Sequence, residues 1–380
     1  MNAKRTCGWI VLIALAVVSG WWLFRSQPDV PSGSPVVSHP ATVVADGEDE
    51  TDFAARDESQ RRSILGAWKE LMRWMKAEPR PTPEEIEARL KELRIEWVAM
   101  DPTVLTAVLG EILRSGEDLP TGIKFAVGPH GLLDGWPTLR VFLLDVLAVS
   151  DPAATPAVAR EVMDGTKSAD EFAVALRSLT RKGPGRATDQ ELLSRFGGLL
   201  NHAGWGTEPG FAEAFDMVRY VGTSAAARQV LAWKGNPMLR TMALDEFASA
   251  HPAAMAEVIA SPDTSGLAPA ERAALMARAD PSDARQLAAA DTYLRNPDLT
   301  AEEAAAFLKI FPLRNATTGY RLYGENPAPY SKEGIAAGDR AALGQVDRWL
   351  ADPELSSRYR AGLEPLQQRL GTWVKQASSR

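Results

Sequence analysis

Apolar residues recur along most of the chain with the 3.6-residue period of an amphipathic α-helix. In the first such stretch they fall at i, i+1, i+4, i+7, i+8 and i+11, on one face of a predicted helix. These positions are Ile64, Leu65, Trp68, Leu71, Met72 and Met75. No comparably clear stretch alternates between apolar and polar residues, which is the pattern of a half-buried strand. The pattern therefore predicts an all-α protein.

Two predicted helix starts carry a capping-box pattern, in which a threonine hydroxyl and a glutamate carboxylate each accept a bond from a backbone N–H group. The first runs from Thr82 to Glu85, with proline at the first helical position, and the second runs from Thr300 to Glu303. An apolar face follows each start: Ile86, Leu90, Leu93 and Trp97 after the first, and Phe307, Leu308 and Phe311 after the second. The first-turn carboxylates also complement the helix dipole.

The chain also resembles itself. Residues 139–154, LRVFLLDVLAVSDPAA, align without a gap with residues 239–254, LRTMALDEFASAHPAA. Each segment predicts an amphipathic helix, a break just before the proline, and a second helix that continues to Val158 or Val258. Self-similarity of this kind is the sequence pattern of a repeat protein.

Asp-Pro pairs mark further breaks between predicted helices, at Asp101, Asp280 and Asp352. The residue before proline is driven out of the α region and ends one helix, while aspartate caps and proline starts the next. A single helical hairpin cannot bury its own apolar face. We therefore expect the hairpins to stack on one another.

This pattern resembles the HEAT-like repeats of α-solenoid proteins over about residues 83–310, with Leu-Arg in the first helix, a short Asp-Pro-Ala turn, and alanine and valine in the second. The resemblance implies an α-solenoid of stacked antiparallel helical hairpins, with an extended concave face that holds a protein or peptide partner. Tetratricopeptide-type repeats and unclassified helical pairs are the alternatives.

The N-terminal residues 7–24 form an uncharged, apolar stretch of 18 residues, preceded by Lys4 and Arg5 and closed by Arg25. As a helix the stretch would extend ~27 Å, close to the ~30 Å hydrocarbon core of a bilayer. Tryptophans lie near both of its ends, as interfacial anchors do: Trp9, Trp21 and Trp22. The basic residues before it predict a cytoplasmic N-terminus and an exported remainder.

A cleaved secretory signal is the alternative, because an apolar core from Ile10 to Val18 is followed by the small pair Ser19-Gly20. We expect an uncleaved signal anchor, since bulky Trp21 follows the candidate cleavage site. Both interpretations export the rest of the chain. The sequence thus predicts a single-pass protein of the inner (cytoplasmic) membrane with a periplasmic or other extracytoplasmic domain.

Residues 26–58 are rich in Pro, Ser, Val and Gly and then become acidic. Such a segment buries too little apolar surface to offset its ordering entropy, so it predicts a disordered linker. The predicted organisation is a transmembrane helix at 1–25, a linker at 26–58 and a helical repeat domain at 59–380.

Composition disfavours several kinds of partner and cofactor. The net charge is -7, which gives no reason to expect binding to a nucleic-acid backbone. The single cysteine, Cys7, lies in the predicted anchor and leaves the rest without a disulfide or a thiol nucleophile. The four histidines lack the spacing of a metal site. No cofactor or metal is expected, and His251, which aligns with Asp151 in the matching segment, is predicted to lie at a helix junction.

One glycine-rich stretch, residues 204–210, gathers polar and aromatic groups, and its weak ligand-loop candidates are His202 and Trp205. The structural interpretation is a loop between repeats, with Trp205 packed on a neighbouring helix. The spacing of its glycines, without a preceding strand, does not predict a dinucleotide site. The Pro-, Gly- and Tyr-rich residues 320–330 predict another loop.

No nucleophile or phosphate-binding pattern occurs in the sequence, so no catalytic residue is predicted. We expect a non-catalytic, membrane-tethered scaffold that holds a protein or peptide on its concave face, and not an enzyme. The first alternative is an enzyme acting on an envelope polymer, with carboxylates and the His202 loop in a groove. The second is a structural subunit of a membrane assembly.

Overall fold

The computed structural model describes residues 50–181, 185–259, 267–313, 320–324 and 331–378. All of these except Glu50 belong to one unit, Thr51–Arg380. Of the described residues, 74% are helical, which confirms the predicted all-α class. The predicted transmembrane segment at 7–24 lies outside the described residues. Within the described part of the chain, no helix combines the length and apolarity needed to cross a bilayer.

Three helices open the described chain: α1 (Glu50–Met75), α2 (Pro83–Val98) and α3 (Pro102–Ser115). The start of α1 lies inside the segment 26–58 that composition predicts to be a linker, so the end of that segment is helical. Arg62 and Glu58, one turn apart and 3.7 Å from each other, support this exposed part of the helix. The predicted apolar stripes of α1 and α2 are buried, except that Leu65 of α1 is partly buried.

A short antiparallel hairpin, which the sequence pattern did not predict, follows α3. Its strands are β1 (Ala126–Val127) and β2 (Leu133–Gly135), joined by a 3-10 turn at Pro129–Gly131. Ala126 lies opposite Gly135, and Val127 lies opposite Leu133. Strands of two and three residues are too short for an alternating pattern to be visible in the sequence.

Shorter helices form the middle of the chain. They are α4 (Leu139–Ser150), α5 (Thr155–Gly165), α6 (Ala169–Thr180), α7 (Asp189–Leu200), α8 (Pro209–Glu213), α9 (Asp216–Val221) and α10 (Ser224–Ala232), with a 3-10 turn at Trp205–Thr207. The remaining helices are α11 (Pro237–Ala250), α12 (Pro252–Ile259), α13 (Pro269–Met276), α14 (Ala284–Arg295), α15 (Ala301–Ile310), α16 (Lys332–Ala351) and α17 (Pro353–Ser378).

Both copies of the self-similar segment fold as a helix, a break and a second helix, as predicted. In the first copy, Asp151 caps the end of α4 and α5 starts at Thr155. In the second copy, His251 caps the end of α11 and is the only residue between α11 and α12. His251 thus lies at a helix junction, as predicted, and its Nε2 lies 2.7 Å from the Arg219 carbonyl oxygen.

The Asp-Pro pairs break the helices at all three predicted places. The carboxylates of Asp101 and Asp352 accept bonds from the first backbone N–H groups of α3 and α17. Asp280 differs, because it lies in the loop between α13 and α14 and Asp283 caps α14 instead. Proline therefore determines where the helix is interrupted, whereas the aspartate directly before the next helix caps it.

Alternate helices form two rows, because each helix packs mainly on helices one or two elements away in the chain. Row one consists of α2, α4, α6, α8, α9, α11, α13, α15 and α17. Row two consists of α1, α3, α5, α7, α10, α12, α14 and α16. Hydrogen bonds that involve side chains connect four successive pairs in this row: α1 with α3, α5 with α7, α7 with α10, and α14 with α16. One buried apolar cluster runs through the described chain.

Several polar contacts between successive helices of a row have nearly the same sequence separation. Arg140 with Glu171, Arg160 with Glu191, and Arg272 with Glu303 are each 31 positions apart, and Arg278 is 33 positions from Asp245. The offset between the two matching segments, 100 positions, corresponds to three such steps. This part of the helix packing therefore has a spacing close to one third of the sequence offset.

Candidate functional site

The aspartate of the repeated Leu-Asp pair is the centre of a buried ion network in row one. Asp145 in α4 is fully buried, and its Oδ1 lies 2.8 Å from Nη2 of Arg177 in α6. Its Oδ2 accepts a 3.0 Å hydrogen bond from the indole N–H of Trp136 and lies 3.5 Å from Arg94 in α2. A buried charge is stable only when it is paired and hydrogen-bonded. Asp145 therefore ties three helices of row one together.

The corresponding aspartate of the second copy makes the corresponding pair. Asp245 in α11 accepts bonds of 3.0 and 2.9 Å from Nε and Nη2 of Arg278, just after α13. Burial raises the pKa of the Asp245 carboxyl, and the Arg278 charge opposes that rise. In both copies, the aspartate of the Leu-Asp pair thus forms an ion pair with an arginine 32 or 33 positions later in the chain.

Glu303 departs in part from its predicted role as a capping-box residue. The Thr300 hydroxyl does accept a bond from the Glu303 backbone N–H, at 3.2 Å. The Glu303 carboxylate, however, is buried and accepts bonds from Arg272 in α13 and, at 2.6 Å, from the Tyr293 hydroxyl in α14. A charge-assisted bond to a guanidinium is stronger than a bond to a backbone amide, which explains this orientation.

Residues 320–324, which we call the strap, lie across row one. The Tyr323 hydroxyl donates to the Ala173 carbonyl oxygen in α6, at 3.2 Å. The backbone N–H groups of Tyr323 and Gly324 donate to Oδ2 of Asp216 in α9, at 2.8 and 3.1 Å. Arg321 forms an ion pair with Glu246 in α11. The strap was predicted only as part of a loop, and it joins helices that lie 75 to 150 positions away in the sequence.

Two glycines make room where the strap meets other parts of the chain. A Cβ atom on Gly131, whose φ is +70°, would overlap the carbonyl oxygen of Leu322. A Cβ atom on Gly324 would overlap the guanidinium of Arg219. Leu322 and Tyr323 are both buried. The strap therefore fits closely against its surroundings.

Carboxylates outnumber cations around the strap. Glu213 ends α8, Asp216 starts α9 and Glu246 lies in α11. Arg219 lies 2.7 Å from Oδ1 of Asp216 and 3.8 Å from Oε2 of Glu246, and Arg321 comes from the strap itself. Oε2 of Glu213 and Oε1 of Glu246 are buried and accept no hydrogen bond from the described residues. Nη2 of Arg219 is also buried and donates no hydrogen bond to the described residues, so the cluster has two such acceptors and one such donor.

The charge of this cluster depends on pH near neutrality. Burial raises the pKa of Glu213 from 4.5 to about 7, opposed by the Arg321 backbone N–H and assisted by the Asp216 charge. Burial also raises the pKa of Asp216, and the Arg219 charge opposes that rise. Because Glu213 is divided between its two protonation states near pH 7, it can hold or release a proton there. The strap covers the same cluster.

The two ligand-loop candidates lie together at the N-terminal end of α6. The rings of His202 and Trp205 stack with centroids 3.6 Å apart, at an interplanar angle of 16°. Trp205 is buried against Phe172, 5.5 Å between ring centroids, and its indole N–H donates to the Lys167 carbonyl oxygen. This packing agrees with the structural interpretation of the loop. A ligand role for exposed His202 stays a prediction.

The glycine-rich stretch around these residues is more regular than predicted. It contains the 3-10 turn at Trp205–Thr207 and the start of α8. Glu208 explains its position, because Oε2 of Glu208 accepts 2.8 Å bonds from the Ser168 hydroxyl and the Ala169 backbone N–H at the start of α6. The stretch is therefore docked onto a helix end.

A cavity of about 900 Å³ lies near the C-terminal end of the described chain. Its lining is mostly apolar and includes Ile310, Leu313, Ile335, Ala336 and Trp373. Arg369 in its wall donates to the Phe311 carbonyl oxygen at 2.5 Å, and burial lowers the pKa of this guanidinium. Across the described ranges, no cluster of three or more His, Cys, Asp or Glu side chains is arranged to hold a metal ion.

Sequence reasoning did not single out the residues around the strap. Asp145 and Asp245 could have been found, because they occupy the same position of the self-similar segment. No local signal relates Asp216 to Tyr323, which lie 107 positions apart. Comparisons with protein-family models, curated proteins and solved structures found no match to the chain.

Proposed function

We propose that the chain is a membrane-tethered, exported scaffold, built as an α-solenoid of HEAT-like repeats, that holds another protein or a peptide along row one. The scaffold itself carries out no reaction. The N-terminal segment 7–24 anchors it in the inner membrane, and the helical part lies on the periplasmic or other extracytoplasmic side.

The packing of helices in chain order carries this proposal. Stacked repeats contact mainly their neighbours, and the two rows follow that rule. The polar contacts at separations of 31 to 33 residues support a repeating unit of about that length. A stack of this kind presents a long row of equivalent helix surfaces, which suits an extended partner.

Exposed apolar side chains support row one as the partner surface. Among the described residues, only five large apolar side chains are strongly exposed, and three of them lie on row-one helices. Ile95 and Val98 are on α2, and Met238, which is 70% exposed, is on α11. Contiguous exposed apolar patches mark interaction sites, and Ile95 and Val98 lie about one turn apart on α2. We therefore place partner contacts on both halves of row one.

Site-specific photo-crosslinking in cells that express the full chain tests the proposal. A photoreactive phenylalanine analogue is placed at Ile95 or Met238 in row one, and at Glu257 or Arg285 in row two as matched exposed controls. We expect discrete crosslinked products from the row-one positions and none from the row-two positions. Products of equal yield from both rows, or no product from row one, would contradict the proposal.

A further inference from the structure

The strap contacts row one in the way that a bound peptide contacts a helical scaffold. Elsewhere the helices pack on near neighbours in the chain, yet the strap reaches partners up to 150 positions away. It is a short non-helical segment that contributes backbone donors, one cation and two buried side chains, Leu322 and Tyr323. These are the elements by which extended peptides are recognised.

Each strap residue meets a complementary group. Asp216 accepts hydrogen bonds from two successive backbone N–H groups. These bonds recognise an extended backbone and do not depend on the identity of its side chains. Glu246 binds the guanidinium of Arg321, and the Ala173 carbonyl oxygen accepts the Tyr323 hydroxyl. Gly131 leaves room for the Leu322 carbonyl group. Together with the burial of the Leu322 side chain, these contacts favour arginine, an apolar residue and tyrosine in that order.

The charge balance argues for a cationic occupant. Glu213, Asp216 and Glu246 come from α8, α9 and α11, and Arg219 of α9 is the helix cation paired with them. Arg177 in α6 also acts on Tyr323, but its own counterion is Asp145. Arg321 supplies the second cation. Glu246 is 93% buried, and its Oε1 has no hydrogen-bond donor among the described residues. A site that lost the strap would therefore need an arginine from elsewhere.

We propose that the strap occupies, within the molecule, a binding site for a partner peptide with the pattern arginine, apolar residue, tyrosine. This inference rests on the proposed scaffold function and names the chemistry of its partner. The strap is covalently tethered and acts at an effective concentration in the mM range, so it competes with the partner. Binding of the partner displaces the strap.

Fluorescence anisotropy with a labelled peptide, Tyr-Arg-Leu-Tyr-Gly, tests the proposal on the full chain in detergent micelles. The Arg321→Ala variant weakens the strap and leaves the helical side of the site intact. We expect this variant to bind the peptide at least about 10-fold more tightly than the wild type. Adding Glu246→Gln should reverse that gain, and a peptide with glutamate in place of arginine should not bind.

A glycine pair provides a second way to weaken the strap. Gly131→Ala forces a Cβ atom against Leu322, whereas Gly116→Ala introduces a Cβ atom at a similar φ of +73° with no atom nearby. We expect increased peptide binding from the first variant and wild-type binding from the second. Far-UV circular dichroism shows which variants are folded, so a loss of structure is not mistaken for a loss of binding.

Hydrogen–deuterium exchange of the wild type needs no variant. Excess peptide should increase exchange at the Tyr323 and Gly324 amides and leave α6 and α11 protected. Folded Arg321→Ala and Gly131→Ala proteins that bind no better than the wild type would overturn the proposal. So would strap amides that exchange as slowly as the core of α6 with and without peptide. Row-one crosslinks obtained alongside such results would leave the scaffold function standing and remove only the strap as its internal ligand.

Discussion

At the residue scale, a few buried ion pairs are the charged groups most sensitive to the loss of one partner. Asp145 and Arg177 have side chains that are 0% and 2% exposed, so neither charge can be hydrated if the other is removed. Truncating one member of such a pair leaves an uncompensated buried charge. Exposed pairs such as Asp164 with Arg195, where Asp164 is 63% exposed, keep access to water.

The Asp145→Asn substitution keeps the shape of the side chain and removes its charge. We expect it to lower the free energy of unfolding by about 3–5 kcal/mol, because Arg177 and Arg94 lose their counterion. Asp164→Asn is the matched surface control and should cost less than about 1 kcal/mol. Urea unfolding followed by tryptophan fluorescence measures both. Equal effects would show that the Asp145 network does not stabilise the fold.

Stability should also depend on pH through two buried carboxyl groups. Burial raises the pKa of Glu213 from 4.5 to about 7 and that of Asp170 from 3.8 to about 6. Between the ordinary and the raised pKa of each group, the folded state binds more protons than the unfolded chain. The free energy of unfolding therefore decreases as pH rises through each of these ranges.

Glu213→Gln should flatten the decrease between pH 4.5 and pH 7, since it removes the group that titrates there. Asp170→Asn should flatten the decrease between pH 3.8 and pH 6 instead. Thermal unfolding at a series of pH values measures both profiles, with each variant serving as the control for the other. A Glu213→Gln profile parallel to that of the wild type would exclude Glu213 as the titrating group.

At the element scale, the same short sequence pattern has two outcomes. Thr82 and Glu85 form a complete capping box at the start of α2, with Glu85 exposed. Thr300 caps α15, but the carboxylate of Glu303 is buried against Arg272 and Tyr293. A local motif therefore predicts where a helix starts. It does not predict the tertiary contacts of the side chains in the motif.

Comparing Glu85→Ala with Glu303→Ala measures this difference. Glu85→Ala should cost about 1 kcal/mol or less, since it removes an exposed helix cap. Glu303→Ala should cost roughly 2 kcal/mol or more, because it leaves Arg272 and the Tyr293 hydroxyl without their acceptor. Chemical unfolding of the two variants under one condition provides the comparison. A smaller loss for Glu303→Ala would mean that the contact between α13, α14 and α15 contributes little.

The helices and their breaks were predictable because their causes are local. Periodic apolar residues and Asp-Pro pairs act within a few positions, and so the stripe of α1 and the break at Asp101 were found. The hairpin at β1 and β2 was missed because its strands are too short to show a period. The site around the strap was missed for another reason: the contact of Asp216 with Tyr323 joins residues 107 positions apart, and no local pattern records it.

At the scale of the whole molecule, the repeating contacts give the chain its order. Polar contacts at separations of 31 to 33 residues recur between parts of the chain that belong to the same row. The strap is the exception, since it connects α6, α9 and α11 at once. The strap thus joins helices that are far apart in the sequence.

Stacking in chain order along row one is the feature on which the scaffold function depends. Electron paramagnetic resonance distances between paired spin labels test it most directly, after replacement of the single native cysteine, Cys7. One label is fixed at Thr241 in α11, and the second is placed at Ala270 in α13, Ala305 in α15 or Ala361 in α17, all exposed positions. Because packed helices lie about 8–10 Å apart, we expect the distance to increase by roughly that amount with each helix along the row. A label on α17 as close to Thr241 as the label on α13 would contradict it.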